Sequence, residues 1–487
     1  MKIIFKNSKL VYSFILLMSS LCISSKGAAA EEVKTTKITE KQNIVMIVID
    51  DLRPVLGAYG DEKAYTPNID ALAKEGVTFD YAYSNVPVCG ASRASMLTGL
   101  RPTKNRFIDY KAMAEKDAPN AKSLPQVLRE SGYHTIGLGK IFHNAKDLAT
   151  VSWSEKIQVS GMPHATMLNP DSKNYIKENT HVEWLKNGPW YETADVPDEA
   201  YPDGKVKQKA LQALTRLSAE QQPFFMSVGF IRPHLPFYAP KKYYDLHPKE
   251  KFTPFFFRER PHLAPSSLRG SGEIHTYHFK DYEYNSDAFH LSSIQGYYAS
   301  VSYIDALVGD IVDKIDDLGL RDNTTIMLIS DHGFQLGEHN FWTKHTLLDT
   351  SLRIPMIVSS PHAVKNQKTN ALVELIDIFP TITEIANINP SIKIDGESFV
   401  DVLKQPDRVH KKQVYSRFKT GDSIITDNYI FSSYITEDNK IEEMLYDHSE
   451  DPHEINNVVN DPRYQKQAAA LREQLTACIT LRNCKTN

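Results

Sequence analysis

Residues 89–99 read Cys-Gly-Ala-Ser-Arg-Ala-Ser-Met-Leu-Thr-Gly, a thiol followed four residues later by an arginine and closed by a glycine. Between Ala91 and Leu97 there are few strong helix breakers, and Gly99 suits the stop position. The spacing therefore predicts a helix with Cys89 at its start. Free backbone N–H groups and the positive end of the dipole would then face the thiol and stabilise an anion there. A small buried cysteine with a solvent-facing arginine fits the same spacing. The choice between the two readings depends on the rest of the chain.

Other residues with chemistry sit at the ends of apolar runs. Residues 43–49 form a continuous β-branched run that closes on Asp50 and Asp51, and the run at 325–330 closes on Asp331 and His332. Lys140 and His143 follow residues 135–139, and Arg232 and His234 follow residues 224–230. Three carboxylates and an imidazole offer hard oxygen donors that suit calcium or magnesium better than zinc, while the histidine leaves other metals open. An Asp-Asp pair at a strand end also serves as a cap or turn, so the pair alone does not identify a metal site.

These groups need a scaffold that brings strand ends together. A run such as 43–49 reads as a strand buried on both faces, and residues 135–139, 224–230, 325–330 and 355–359 repeat the pattern. Helical patterns over 123–131, 206–218, 297–318 and 373–386 alternate with them. The alternation predicts an α/β fold, a sheet sandwiched by helices with ligands at the carboxyl ends of its strands. Residues 148–202 and 252–284 are aromatic and polar without period, and read as long insertions over the sheet edge that wall a cleft or pack their own rings. From about Gln405 the character changes: strands over 414–434, a polar turn over 445–452 and an amphipathic helix over 462–478. The expected organisation is thus a signal peptide at 1–30, a catalytic domain at 31–404 and a smaller α+β subdomain at 405–487.

With 487 residues the chain can bury a large core, and 56 basic against 60 acidic residues give no global field for nucleic acid. Lys2, Lys6 and Lys9 precede an apolar run over 10–18, and Ala28, Ala29 and Ala30 supply a small-residue cleavage site. This is the pattern of an export signal, and the run is too short for a comfortable bilayer span, so a periplasmic or secreted protein without stable membrane insertion is expected. Leu21 before Cys22 makes a poor lipidation site. Of the remaining cysteines, Cys478 and Cys484 most simply pair in an oxidising compartment, which leaves Cys89 single.

Taken in order, Asp50-Asp51, Cys89 to Arg93 with Thr98-Gly99, Gly139-Lys140, Pro233-His234, Asp331-His332-Gly333 and Trp342-Thr343-Lys344 resemble the sulfatase family, whose signature is Cys-x-Pro/Ala-Ser-Arg. The tail (Leu445-Tyr446-Asp447, Asp451-Pro452, Glu454, Asn457) fits as well. Gly139 to His143, Arg232 to Phe237, Tyr298 to Tyr303 and Leu336 to His339 are most similar to the iduronate-2-sulfatase-like polysaccharide sulfatases. The resemblance implies an alkaline-phosphatase-like mixed sheet. It implies that Cys89 is oxidised by a maturation enzyme to formylglycine (3-oxoalanine), whose hydrate attacks sulfur, and that Asp50, Asp51, Asp331, His332 and the modified Cys89 hold Ca2+. Arg93 would anchor the hydrated aldehyde, and Lys140 and Lys344 the sulfate. His234, with Lys344, would protonate the departing sugar oxygen and His143 would take the proton from the second hydroxyl, an assignment the two imidazoles can exchange. His339 and His345 read as supporting or surface residues.

Two departures from the family pattern matter. Position 91 is Ala where many relatives have Pro, which bears on the maturation enzyme. Lys140-x-x-His143 replaces the Lys-x-His of many arylsulfatases. The implied activity is removal of sulfate from a sulfated saccharide, either a 2-O-sulfated uronic acid or an algal polysaccharide such as ulvan. The rival readings are a phosphate or phosphonate ester hydrolase, and a silent protein that binds sulfated glycans.

Overall fold

The strand β1 (Asn43–Ile49) is buried at every residue, and its side chains alternate between two cores. Ile44, Met46 and Val48 join one cluster and Val45, Ile47 and Ile49 the other. A strand covered on both faces has no reason to keep polar residues, which explains the unbroken apolar run. Seven further strands complete the sheet among the described residues. They are β2 (Val77–Tyr83), β3 (His134–Gly139), β4 (Phe224–Phe230), β5 (Thr324–Ser330), β6 (Arg353–Ser359), β7 (Gln367–Thr369) and β8 (Val373–Glu374). The order is β7-β2-β6-β5-β1-β4-β3, with β8 also on β2. Strands β3, β4, β1 and β5 are parallel neighbours, whereas β6 runs antiparallel to β5 and β2. The sheet is therefore mixed, as expected, and four parallel carboxyl ends lie along one edge.

The computed structural model describes residues 41–158, 166–179 and 187–481. The expected signal at 1–30, Cys22, Trp184 and Cys484 lie outside the described residues. Cys478 is disulfide-bonded. Among the described residues no helix is long and apolar enough to cross a membrane.

Helices cover both faces. Ala91, Ala94, Met96 and Leu97 of helix α1 (Cys89–Thr98) pack into one core with Leu128, Ile378 and Ile382; Val206, Leu214, Ile304 and Ile311 pack into the other. The expected helix at 297–318 starts earlier and spans Asp287–Asp317, begun by Ser286, whose side chain accepts from the Phe289 N–H. The pattern at 373–386 is extended at its start, where β8 pairs with β2, then turns through a 3-10 helix over Leu375–Asp377 into an α-helix over Ile378–Ile385. The insertions are more structured than expected: Trp153 is buried against Phe225, and Trp190 donates to Ser293 Oγ (3.0 Å) while stacking on Phe289. Both rings are core, not cleft wall.

Near the end of the chain, Val414–Phe418, Gly421–Ile425, Tyr429–Ile435 and Ile441–Asp447 make a separate antiparallel sheet. The last strand includes residues expected in a turn, Leu445 to Asp447. One face packs on the helix Gln465–Leu481 through Leu471 and Leu475, and the other contributes Val414, Ile425 and Met444 to the main core. Its first strand braces the approach to Cys89, since Ser416 Oγ donates to Ser84 O (2.5 Å) and Arg417 N–H to Asn85 O (2.9 Å).

Helix α1 is buried along its whole length. Val88 enters extended, and Gly99 at φ 66° caps the end with its N–H toward Met96 O and Ser95 O, the left-handed position that glycine takes without strain. A Cβ on Gly90 would lie 2.1 Å from Tyr110 O. Backbone cannot yield as a side chain can, so Gly90→Ala should cost about 1–3 kcal/mol in thermal unfolding. An unchanged melting temperature would contradict this packing.

Candidate active site

The four parallel strand ends and the start of α1 converge. Beyond β1, Asp50 and Asp51 are fully buried, and Asp51 takes φ 63°, a left-handed conformation that costs a non-glycine residue on the order of 1 kcal/mol. The turn is held from the opposite layer: Tyr297 OH donates to Asp51 O (2.7 Å) and accepts from Arg53 N–H (3.0 Å). Beyond β5, Ser84 Oγ and Ser92 Oγ both donate to Asp331 O (2.8 and 2.5 Å), and Asp51 N–H donates to Asp331 Oδ1 (3.3 Å).

Arg93 ties the carboxylates to α1. Its Nε reaches Asp331 Oδ2 (2.8 Å), its Nη2 reaches Asp50 Oδ1 (3.1 Å), and its Nη1 donates to Ile141 O (3.0 Å) and Lys140 O. The guanidinium is fully buried, not solvent-facing. Lys140 Nζ bonds Asp50, and Lys344 Nζ bonds both oxygens of Asp51 (3.1 and 2.9 Å). Burial alone would raise the Asp50 pKa, but Lys140 and Arg93 hold it well below the usual carboxylate range. For Lys344, burial works against the charge and is outweighed by Asp51, Cys89 and Glu273, so its pKa is raised.

The cluster suits a hard divalent cation. Ligand atoms of Asp50, Cys89, Asp331 and His332 lie within 4.8 Å of one another, as do those of Asp50, Asp51, Cys89 and His234. His332 Nδ1 donates to Gly333 O (2.9 Å), which leaves Nε2 facing the cluster. Such a carbonyl partner is the usual support of a metal-bound imidazole. Nε2 lies 3.2 Å from Cys89 Sγ and 3.4 Å from Asp51 Oδ1. Asp50 and Cys89 belong to both groups, Asp331 and His332 to one, and Asp51 to the other with His234. The Cys89 thiol is buried and free, and burial, then the Asp50 charge, push its pKa well up. A thiolate nucleophile is disfavoured there.

His234 and Glu273 complete the inner wall. His234 Nδ1 faces Leu235 O (2.6 Å) and Nε2 lies 3.1 Å from Glu273 Oε1 and 4.0 Å from Asp51 Oδ2. The backbone before it is fixed by Asp203, which accepts from the N–H groups of Ile231 (2.7 Å) and Arg232 (3.0 Å). Arg232 is fully buried, its guanidinium over the Tyr238 ring (4.0 Å to the centroid) and donating to Pro236 O. His143 is exposed, with its ring edge-on to Tyr110 at 6.2 Å. Desolvation by the neighbouring residues, followed by the Lys140 charge, lowers its pKa, although the ring keeps solvent access. His339 bonds His453 O, and His345 stacks on Phe418. Neither joins the carboxylate cluster. Sequence reasoning missed Glu273 because it sits in an aperiodic insertion, where no spacing singles out one carboxylate.

A family model described as "Sulfatase" matches residues 42–388, and one described as "N-sulphoglucosamine sulphohydrolase, C-terminal" matches residues 337–480. The iduronate 2-sulfatase of Mus musculus is 33% identical over 424 residues, which cover 77% of this chain and 73% of that protein. A structure solved in complex with its substrate D-glucosamine-2-N,6-O-disulfate superposes with a TM-score of 0.70 at 20% identity, covering 91% of this chain and 99% of the other. The phosphonate monoester hydrolase of Agrobacterium radiobacter superposes with a TM-score of 0.71 at 20% identity, covering 90% and 95%. At this identity the two structures speak to the fold, an alkaline-phosphatase-like mixed sheet.

Proposed function

Because the chain belongs to the sulfatase family, we propose that it hydrolyses a sulfate ester of a saccharide, using formylglycine made from Cys89 and a calcium ion held by Asp50, Asp51, Asp331, His332 and the modified Cys89. The observation that carries this reading is the burial of Cys89 at the head of α1, against three carboxylates, His332 and Arg93. A raised thiol pKa makes unmodified Cys89 a poor nucleophile, whereas an aldehyde hydrate at the same place has a hydroxyl to offer. When bound, calcium would polarise the sulfate oxygens and favour the ionised hydroxyl. Lys140 and Lys344 supply fixed positive charge beside the equatorial sulfate oxygens. Arg93 locks Asp50 and Asp331 and anchors the hydrated aldehyde. His234, with Lys344, protonates the departing sugar oxygen, and His143 takes the proton from the second hydroxyl.

The substrate we favour is a 2-O-sulfated uronic acid of heparan or dermatan fragments, on the likeness to an iduronate 2-sulfatase and on the Lys140-x-x-His143 spacing. In this reading residues 1–30 export the chain, residues 31–404 carry the catalysis and residues 405–487 form the smaller subdomain. The test is sulfate release from a panel of heparan, dermatan and ulvan oligosaccharides, with phosphate and phosphonate monoesters beside them. Turnover confined to the phosphorus esters would overturn the proposal.

Calcium itself can be read without turnover. Calcium at 100 times its dissociation constant should add about 2.7 kcal/mol to stability, seen as a higher melting temperature that a chelator reverses. In Asp331→Asn the calcium shift should shrink most of the way to zero. An equal shift in that variant would remove Asp331 from the ligand set.

A further inference from the structure

The insertion at 252–284 brings one carboxylate into the reaction centre, and it is bonded to both groups assigned to the leaving oxygen. Glu273 opens a short turn, Glu273–Thr276, whose Ile274 is fully buried, with Tyr277 just beyond it 3% exposed. The turn is fixed locally, as Glu273 N–H donates to Ser271 Oγ (3.1 Å) and Thr276 Oγ1 donates to Glu273 O (2.7 Å). From this anchored position Oε1 lies 3.1 Å from His234 Nε2 and Oε2 lies 2.9 Å from Lys344 Nζ. Each oxygen serves a different partner, and the partners come from different parts of the chain, one after β4 and one after the strand Trp342–Thr343. The other nitrogen of His234 faces Leu235 O, and the other contacts of Lys344 go to Asp51.

An imidazole held at one nitrogen can still swing about its Cβ–Cγ bond, while one held at both has its ring plane set. A lysine on a flexible four-carbon stem needs the same restraint before its ammonium points at one atom. General-acid catalysis depends on that aim, because the proton must be within hydrogen-bond reach of the departing oxygen. Simple charge balance is a weaker account: Asp51 already pairs with Lys344, and a surface carboxylate would have no need of a buried turn behind it. Burial would raise the Glu273 pKa, but Lys344 and His234 hold it well below the usual carboxylate range, so the carboxylate is available as an acceptor.

Resting on the sulfatase reading above, we propose that Glu273 is a positioning residue that sets the ring of His234 and the reach of Lys344 for protonation of the saccharide leaving group. A positioning role predicts dependence on the leaving group. A sugar alkoxide leaves only with a proton, whereas 4-nitrophenolate leaves without one. The experiment compares wild type, Glu273→Gln and Glu273→Asp on the fastest-cleaved saccharide of the panel and on 4-nitrophenyl sulfate. In Glu273→Gln, kcat on the saccharide should fall about 10- to 100-fold, and about tenfold more than kcat on 4-nitrophenyl sulfate, which loses only the aid that Lys344 gives the sulfate. Glu273→Asp, which keeps the charge on a shorter stem, should recover part of the saccharide rate. Equal losses on both esters, a loss carried by KM alone, or an unchanged kcat would each overturn the inference. If wild type releases sulfate from no member of the panel, the sulfatase reading itself fails, and that result is separate from any behaviour of the variants.

Discussion

Cys89→Ala should lower sulfate release by at least about 10³-fold, the scale of losing a nucleophile, while the protein keeps its fold. The side chain makes few contacts that stability depends on. Its Sγ meets His332 Nε2 at 3.2 Å, and α1 is held by Gly99, by Thr98 Oγ1 on Ala94 O (2.7 Å) and by its apolar face. Alanine also suits the first turn of a helix. The melting temperature in chelator should therefore move little while kcat collapses. Activity within tenfold of wild type would remove Cys89 from the nucleophile's place, whatever the fold.

Arg93→Ala should show the opposite balance, a large loss of both stability and activity. The guanidinium and both carboxylate partners are fully buried, and removing one member of such a pair leaves charge without compensation, at a cost of about 3–5 kcal/mol. Two carbonyls, those of Lys140 and Ile141, lose their donor as well. In chelator the destabilisation should be greatest, and added calcium should recover part of it by meeting Asp50 and Asp331. Chemical denaturation of Arg93→Ala and wild type, each with chelator and with calcium, measures both effects. A difference below about 1 kcal/mol in chelator would mean that Arg93 does not hold the carboxylates.

Much of the scaffold was legible because burial leaves a simple mark. A strand covered on both faces, such as β1, has no polar alternation, and the charged residues that stop it stand at a carboxyl end where ligands collect. Cys89 to Gly99 was legible for another reason: a helix stop and a small-residue run are local signals. What stayed hidden depends on distant pairing. Residues 77–83 include Asp80 and a half-buried Tyr81, and their strand exists because β6, β7 and β8 pair with them. The start of 373–386 is extended for the same reason, Val373 opposite Ala82. Arg93 shows how a side chain's direction escapes the sequence. Its position on the helix is local, but its burial is set by Asp50 and Asp331 from other strands. Glu273 is the strongest case, a carboxylate whose partners lie 39 residues before it and 71 after, inside a segment with no period.

The central claim is that Cys89 is present in order to be converted. Protein purified from its native host, digested with trypsin, yields the peptide of residues 75–93 for intact mass. The account predicts a species about 18 Da lighter than the unmodified peptide, the mass change from thiol to aldehyde, with the change located at Cys89 by fragmentation. A fully active preparation whose peptide carries only the unmodified thiol would contradict it.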